Sequence, residues 1–161
     1  MDKITYRPIG IVHSPFSDPK GVPIQPEAAK GVEGTVEIFD EFLEGVLHVD
    51  GFSHLMLVYH FHLSKNASLR VIPFLDNDVH GVFATRAPSR PNPIGISVVR
   101  LVSAQENVLR VSDVDIVDGT PLLDIKPYVP TFDIREVTKT GWLEGKVDQF
   151  TMVRDDGRFA E

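Results

Sequence analysis

The chain has 161 residues, a formal net charge of −7 and no cysteine. Its length suits one domain with a sizeable core, and 42% hydrophobic with 24% charged residues is the content of an ordinary globular protein. Without cysteine there are no disulfides, no thiolate-ligated zinc or iron–sulfur sites and no cysteine nucleophile, and the acidic balance argues against a generic basic nucleic-acid binder.

The N-terminal residues Met1 to Pro8 hold no apolar segment of a secretory signal. No apolar run approaches the roughly 18 residues of a membrane span, so a cytoplasmic, non-membrane setting is expected. Short apolar runs punctuated by Gly and Pro predict strands near Ile4–His13, Gly34–Phe39, His54–Leu63, Val79–Thr85, Ile96–Val102, Val108–Val111, Val114–Val117 and Leu122–Lys126. Between Phe39 and Val49 the pattern predicts a short helix. Asp40 is its candidate N-cap, with Phe42, Leu43, Val46 and Leu47 on one face. Many short strands with little helix imply a mainly β protein, a closed or partly closed β-barrel with short helical insertions, in a single domain over residues 1–161. The last twenty residues, with the lone Trp142, read as ordered to about Arg154 and polar beyond it.

Charge is spread unevenly. Glu27 to Asp50 carries seven acids and one lysine, a net −6, whereas Lys65 to Arg100 carries five basic residues against Asp76 and Asp78, a net +3. Such a split permits a local anion-binding face, or simply two solvated surfaces.

The most informative stretch is Gly81-Val-Phe-Ala-Thr-Arg-Ala-Pro-Ser-Arg-Pro-Asn-Pro-Ile-Gly95. Proline fixes φ and lacks a ladder donor, so this piece predicts a stiff connection between two buried strands. Arg86 and Arg90 on it are held at low entropic cost, which suits a carboxylate, a phosphate or a planar ring. The alternative is a proline-rich turn with solvated arginines.

Three further groups carry polar chemistry. His54, His60 and His62 fall on one face of a strand-like run, opposite Leu55, Leu57, Tyr59 and Phe61. A His-x-His pair in a strand can bind zinc, but no third ligand is identifiable, so no metal is expected. Asp118 before Gly119 reads first as a turn whose carboxylate accepts backbone N–H groups, whereas Asp115 is as suited to gripping ligand hydroxyls as to a structural role. Gln25, in the rigid loop Lys20 to Lys30, offers an amide to a base or an amino-acid head group. A Rossmann glycine loop, a Walker A sequence, a nucleophile elbow and an HExxH are all absent.

Taken in order, Gly10-Ile-Val-His-Ser-Pro-Phe16, Gln25-Pro26, Phe52-Ser-His-Leu55, Gly81-Val-Phe-Ala-Thr-Arg86, Arg90-Pro-Asn-Pro-Ile-Gly95 and Asp118-Gly-Thr-Pro121 with Asp124-Ile-Lys-Pro-Tyr128 resemble the TrmO (TsaA/YaeB-like) family of S-adenosylmethionine-dependent tRNA methyltransferases. The resemblance implies a small β-barrel acting as a homodimer, without the extra C-terminal domain of longer relatives. It implies methylation of N6 of threonylcarbamoyladenosine at position 37 of tRNA. By matching motifs, S-adenosylmethionine contacts fall on Gln25, Pro26, Glu27, His62, Leu63, Arg86, Ile96 and the run Asp115, Ile116, Val117, Asp118. Asp115 and His62 are the candidate proton acceptors. Arg90 is a bidentate partner for the substrate's carboxylate, and Asn92 joins it on the substrate side. Two other readings stay open: methylation of a different acceptor, and a non-catalytic S-adenosylmethionine sensor.

Overall fold

A computed structural model describes residues 3–159. Its strands are β1 (Gly10–His13), β2 (Glu33–Ile38), β3 (His54–His60), β4 (Arg70–Val71), β5 (His80–Gly81), β6 (Ile94–Gln105), β7 (Val108–Ser112) and β8 (Thr120–Pro127). Six of them close an antiparallel barrel in the order β1-β2-β7-β6-β3-β8, and β4 with β5 forms a separate two-stranded ribbon. Closure leaves the barrel without a free edge.

Strand alternation builds the core. In β3, Leu55, Leu57 and Tyr59 are buried while the residues between them are only partly covered. The barrel interior is Val12, Val36, Ile38, Leu55, Leu57, Tyr59, Val99, Leu109, Val111 and Leu122, sealed by Val114 and Ile116. The 12-residue β6 pairs with both β3 and β7, and its ladder to β7 shifts register between Leu101 and Ser103. Such a shift bends a strand, which lets one long element serve two sides of a barrel.

A smaller cluster of Val71, Val82, Ala87 and Phe159, with Phe74 against it, lies beside the barrel. The chain beyond β8 runs through one helical turn, Pro130–Asp133, and two 3-10 turns, Gly141–Leu143 and Val147–Thr151. It then pairs as a bridge with the early loop: Pro23 opposes Arg154, Gly21 N–H donates to Asp155 O at 2.7 Å, and Asp155 N–H donates to Val22 O at 2.9 Å.

Several predicted elements differ. The first strand starts only at Gly10, because Pro8 has no N–H for the ladder; Ile4 and Tyr6 are exposed. Val79–Thr85 contains only the two-residue β5, after which Val82–Ala84 turns into a 3-10 helix. The Arg-bearing loop therefore links that helix to β6 rather than two buried strands. Val114–Val117 is not a strand. The ladder stops at Ser112 because Asp113 takes a left-handed φ of 71°, its carboxylate accepting Gly31 N–H at 2.8 Å. The helix after Phe39 is a 3-10 helix over Asp40–Val46 whose N-cap position is Phe39, with no side-chain cap from Asp40. Phe42, Leu43 and Val46 pack on the barrel as expected, but Leu47 is 74% exposed. β3 ends at His60, so His62 belongs to the following turn. Beyond Arg154 the chain does not simply become polar: Phe159 is buried.

Candidate functional site

Two motifs converge at the loop after β7. Ser14, leaving β1, donates its hydroxyl to Ile116 O at 2.5 Å and accepts Phe16 N–H at 3.2 Å. Asp118 accepts Ser14 N–H at 3.1 Å, and Gly119 with φ 75° closes the turn. The His-Ser-Pro-Phe segment thus pins the loop after β7 to the barrel. Buried Val114 and Ile116 hold that loop as a strand would, and Asp115 between them faces a cleft.

The proline-rich loop forms the opposite wall. Arg90 donates from Nη1 to Thr85 O at 3.1 Å and Ala87 O at 3.2 Å, Ser64 Oγ donates to Pro88 O at 3.2 Å, and Ser68 N–H donates to Ser89 O at 3.1 Å. A loop bound at this many points keeps its side chains in place without regular structure. Arg86 projects from it and donates Nη1–H to Gln25 Oε1 at 2.6 Å. Two predicted ligand residues 61 positions apart thereby meet directly.

The cleft holds about 890 Å³, within the range of small-molecule sites. Gln25, Pro26, Glu27, His62, Leu63, Arg86, Arg90, Asn92, Ile96, Asp115, Ile116 and Val117 all line it. Asp118 does not: its carboxylate is turned to Ser14 and to His13, 3.4 Å from Nδ1. His54 lines the cleft and His60 does not. Among the described residues no group of three His, Cys, Asp or Glu is placed to hold a metal.

Electrostatics single out Asp115. Burial pushes its carboxyl up to about 7, opposed by the Ser97 hydroxyl hydrogen bond, its own backbone N–H and the Arg86 charge, all of which favour the carboxylate. Ser97 Oγ donates to Asp115 Oδ1 at 2.6 Å, and the Tyr59 hydroxyl lies 3.0 Å from Ser97 Oγ. Burial, and then the His60 charge, lower the His62 pKa, so that imidazole stays neutral at pH 7. Its Nδ1 lies 3.3 Å from Thr120 Oγ1. Asp115 and His62 are thus both acceptors within one cleft.

Sequence reading missed Tyr59 and Ser97 as polar elements of the site, although both sit at inward positions of alternating strands where a hydroxyl stands out. It also missed Phe74, Asp155 and Phe159, which line the cleft from the flanking and C-terminal segments. No spacing rule links those residues to Gln25 or Arg86.

The lining fits a sulfonium nucleoside carrying an amino-acid tail. Pro26, Leu63 and Ile96 offer apolar faces to a base, while the Gln25 amide and the Asp115 carboxylate suit polar hydroxyl or ammonium groups.

Comparison with known proteins agrees with this chemistry. The family model of the tRNA-methyltransferase O N-terminal domain matches residues 11–134. A probable S-adenosyl-L-methionine-binding protein of Pyrococcus abyssi is 64% identical over 156 residues, covering 97% of this chain and 85% of its own. The tRNA (adenine(37)-N6)-methyltransferase of Escherichia coli is 36% identical over 140 residues, which are 81% of this chain and 60% of the relative. The crystal structure of TrmO from Pseudomonas aeruginosa superposes with a TM-score of 0.73 at 37% identity, over 88% of this chain and 63% of that one. This chain belongs to the tRNA-methyltransferase O family and carries that family's N-terminal domain.

Proposed function

We propose that the chain is an S-adenosylmethionine-dependent methyltransferase that methylates N6 of threonylcarbamoyladenosine at position 37 of tRNA. The observation that carries this reading is the meeting of Arg86, Gln25 and Asp115 in one cleft, in a chain similar to a relative named tRNA (adenine(37)-N6)-methyltransferase. When bound, S-adenosylmethionine would supply an electrophilic methyl group, with its sulfur keeping the carbon–sulfur electron pair and leaving as a neutral thioether. The protein's task is then alignment and proton removal. Gln25, Pro26, Glu27, Leu63, Arg86, Ile96 and the run Asp115 to Val117 would hold the methyl donor. The lost proton belongs to N6, made more acidic by its carbamoyl substituent, and Asp115 or His62 accepts it. Arg90, with one guanidinium nitrogen bound to the loop, presents its remaining N–H groups to the substrate's carboxylate.

In this reading the chain acts as a homodimer in the cytoplasm. Exposed Phe132, Ile134 and Val137 offer apolar surface to a second copy, which doubles the basic segment from Lys65 to Arg100 for tRNA. Among the described residues no helix is long and apolar enough to cross a membrane.

The test is transfer of labelled methyl from S-adenosylmethionine to tRNA carrying threonylcarbamoyladenosine, beside unmodified tRNA, followed by nucleoside mass spectrometry. Label on the modified nucleoside alone is expected. Label on unmodified adenosine or on a small metabolite, or saturable binding with no transfer to any acceptor, would overturn it.

A further inference from the structure

We propose that Tyr59 and Ser97 are positioning residues that hold Asp115 as the proton acceptor of methyl transfer, through a hydrogen-bonded chain running from the barrel core to the cleft. The inference rests on the methyltransferase reading and extends it to Tyr59, at the inner wall of the cleft, and to Ser97 behind it.

The geometry is specific. Tyr59 on β3 and Ser97 on β6 point into the barrel, 5% and 1% exposed, on neighbouring hydrogen-bonded strands. The chain continues from Ser97 Oγ to Asp115 Oδ1, on the loop after β7. Ser97 donates to the carboxylate, so the Tyr59 hydroxyl donates to Ser97. Ser97 thus holds Oδ1 from within while the Asp115 side chain lines the cleft. The ring that starts the chain is fixed by Phe61, edge-on at 5.4 Å, and by Gly95 opposite it, where any Cβ would overlap the Tyr59 ring. The glycine ending the proline-rich motif thus makes room for the phenol.

This arrangement stabilises the carboxylate against the burial that opposes it. A base must be ionised before reaction and must take a proton during it. As the N6 lone pair forms the new bond to carbon, the N–H bond breaks, its pair stays on nitrogen, and the proton passes to Asp115. The positive charge of the sulfonium and the negative charge of the carboxylate vanish together. When the acid is neutral it can donate to Ser97 Oγ while the Ser97 hydroxyl turns to donate to the Tyr59 oxygen, so the chain reverses direction as Asp115 takes up its proton. Arg86 is the charge acting on Asp115, and Tyr59 faces it through Ser97. On and after β3, the cleft also holds His54 and His62. Its other loops and segments contribute Glu27, Arg90, Asp113, Tyr128 and Asp155.

Two readouts on wild type, Ser97→Ala and Tyr59→Phe test this. The first follows the Asp115 carboxyl carbon by NMR through a pH titration, with no substrate present. The second is the pH profile of methyl transfer to modified tRNA. Losing a hydrogen bond to the charged form raises the Asp115 midpoint, by about one pH unit in Ser97→Ala. Transfer then falls about fivefold at pH 7 and recovers toward pH 9, as the alkaline medium re-ionises the carboxyl. Tyr59→Phe keeps the ring, shifts the same limb by less, and serves if Ser97→Ala does not fold. Transfer lowered by one factor at every pH, with an unmoved carboxyl midpoint, overturns the proposal; so does a shifted midpoint without a shifted limb. If wild type methylates no tRNA, the underlying reading fails, and the acceptor role with it. The NMR midpoints then show separately whether the chain governs Asp115.

Discussion

Gly95→Ala tests whether the motif glycine is there for the phenol. A Cβ at this position meets Cε2 and Cζ of Tyr59, on the adjacent strand, and lies 2.8 Å from Cζ of Phe61, just past that strand's end. These are not the ends of flexible chains, so the overlap is relieved only by moving rings or backbone. Overpacking of this kind costs about 1–3 kcal/mol, and two rings in conflict place it in the upper half of that range. For a domain of this size each kcal/mol lowers Tm by roughly 2–4 °C, so a fall of about 5–10 °C is expected in thermal unfolding followed by circular dichroism. The comparison variant is Gly119→Ala, where φ is 75° but no atom lies within 4 Å of the added carbon. That variant suffers only backbone strain of about 1 kcal/mol. Gly95→Ala should therefore lose clearly more stability, and its Tyr59 fluorescence and cleft chemistry should change while those of Gly119→Ala do not. A Tm for Gly95→Ala within 2 °C of wild type, or a larger loss at Gly119, would refute the packing argument.

Other consequences follow from the same geometry. Arg90→Lys keeps the charge but loses the planar fork, so turnover on modified tRNA should fall about tenfold while affinity for S-adenosylmethionine stays within twofold; equal loss of both would show that Arg90 serves only to brace the loop. Binding of tRNA should weaken steeply between 50 and 200 mM salt, read by fluorescence anisotropy; a flat dependence would argue against phosphate contacts. Asp76 accepts from Lys146 at 2.9 Å and His80 at 3.0 Å, and these two bonds hold its carboxyl far below the usual range. Because the folded pKa is depressed, this tie is complete above the ordinary carboxylate pKa of about 4 and weakens only as pH falls below it. Asp76→Ala should therefore increase hydrogen exchange over Gly141–Thr151 at pH 7, with wild type matching it only in acid; protection unchanged at pH 7 would contradict the assignment.

Alternation along a strand is a short-range signal, and it located β3 and β6 well because each has one face in the barrel. The same signal misled at Val114–Val117. Buried Val114 and Ile116 alternate with Asp115 as in a strand, but the left-handed Asp113 has already taken the backbone out of the ladder. Val82 is apolar in a strand-like run, yet it packs a 3-10 turn against the satellite cluster instead, while Ala84 of the same turn is exposed. The site was legible where it is carried by motifs: Gln25, Arg86 and Asp115 were each visible, though their meeting depends on closure of the barrel. Asp118 lies one turn too far, with its carboxylate spent on the Ser14 amide. The contribution of Asp155 and Phe159 was invisible because it arises from a chain end folding back onto the loop at Val22 and Pro23. Nothing local in the sequence encodes that contact.

The most direct test of the account is a calorimetric titration of the purified protein with S-adenosylmethionine, alongside Arg86→Ala. Saturable binding of one ligand per chain, weakened about tenfold when Arg86 and its bond to Gln25 are removed, is the predicted result. Folded wild-type protein that shows no heat at two temperatures, or an Arg86→Ala variant that binds as tightly as wild type, would contradict it.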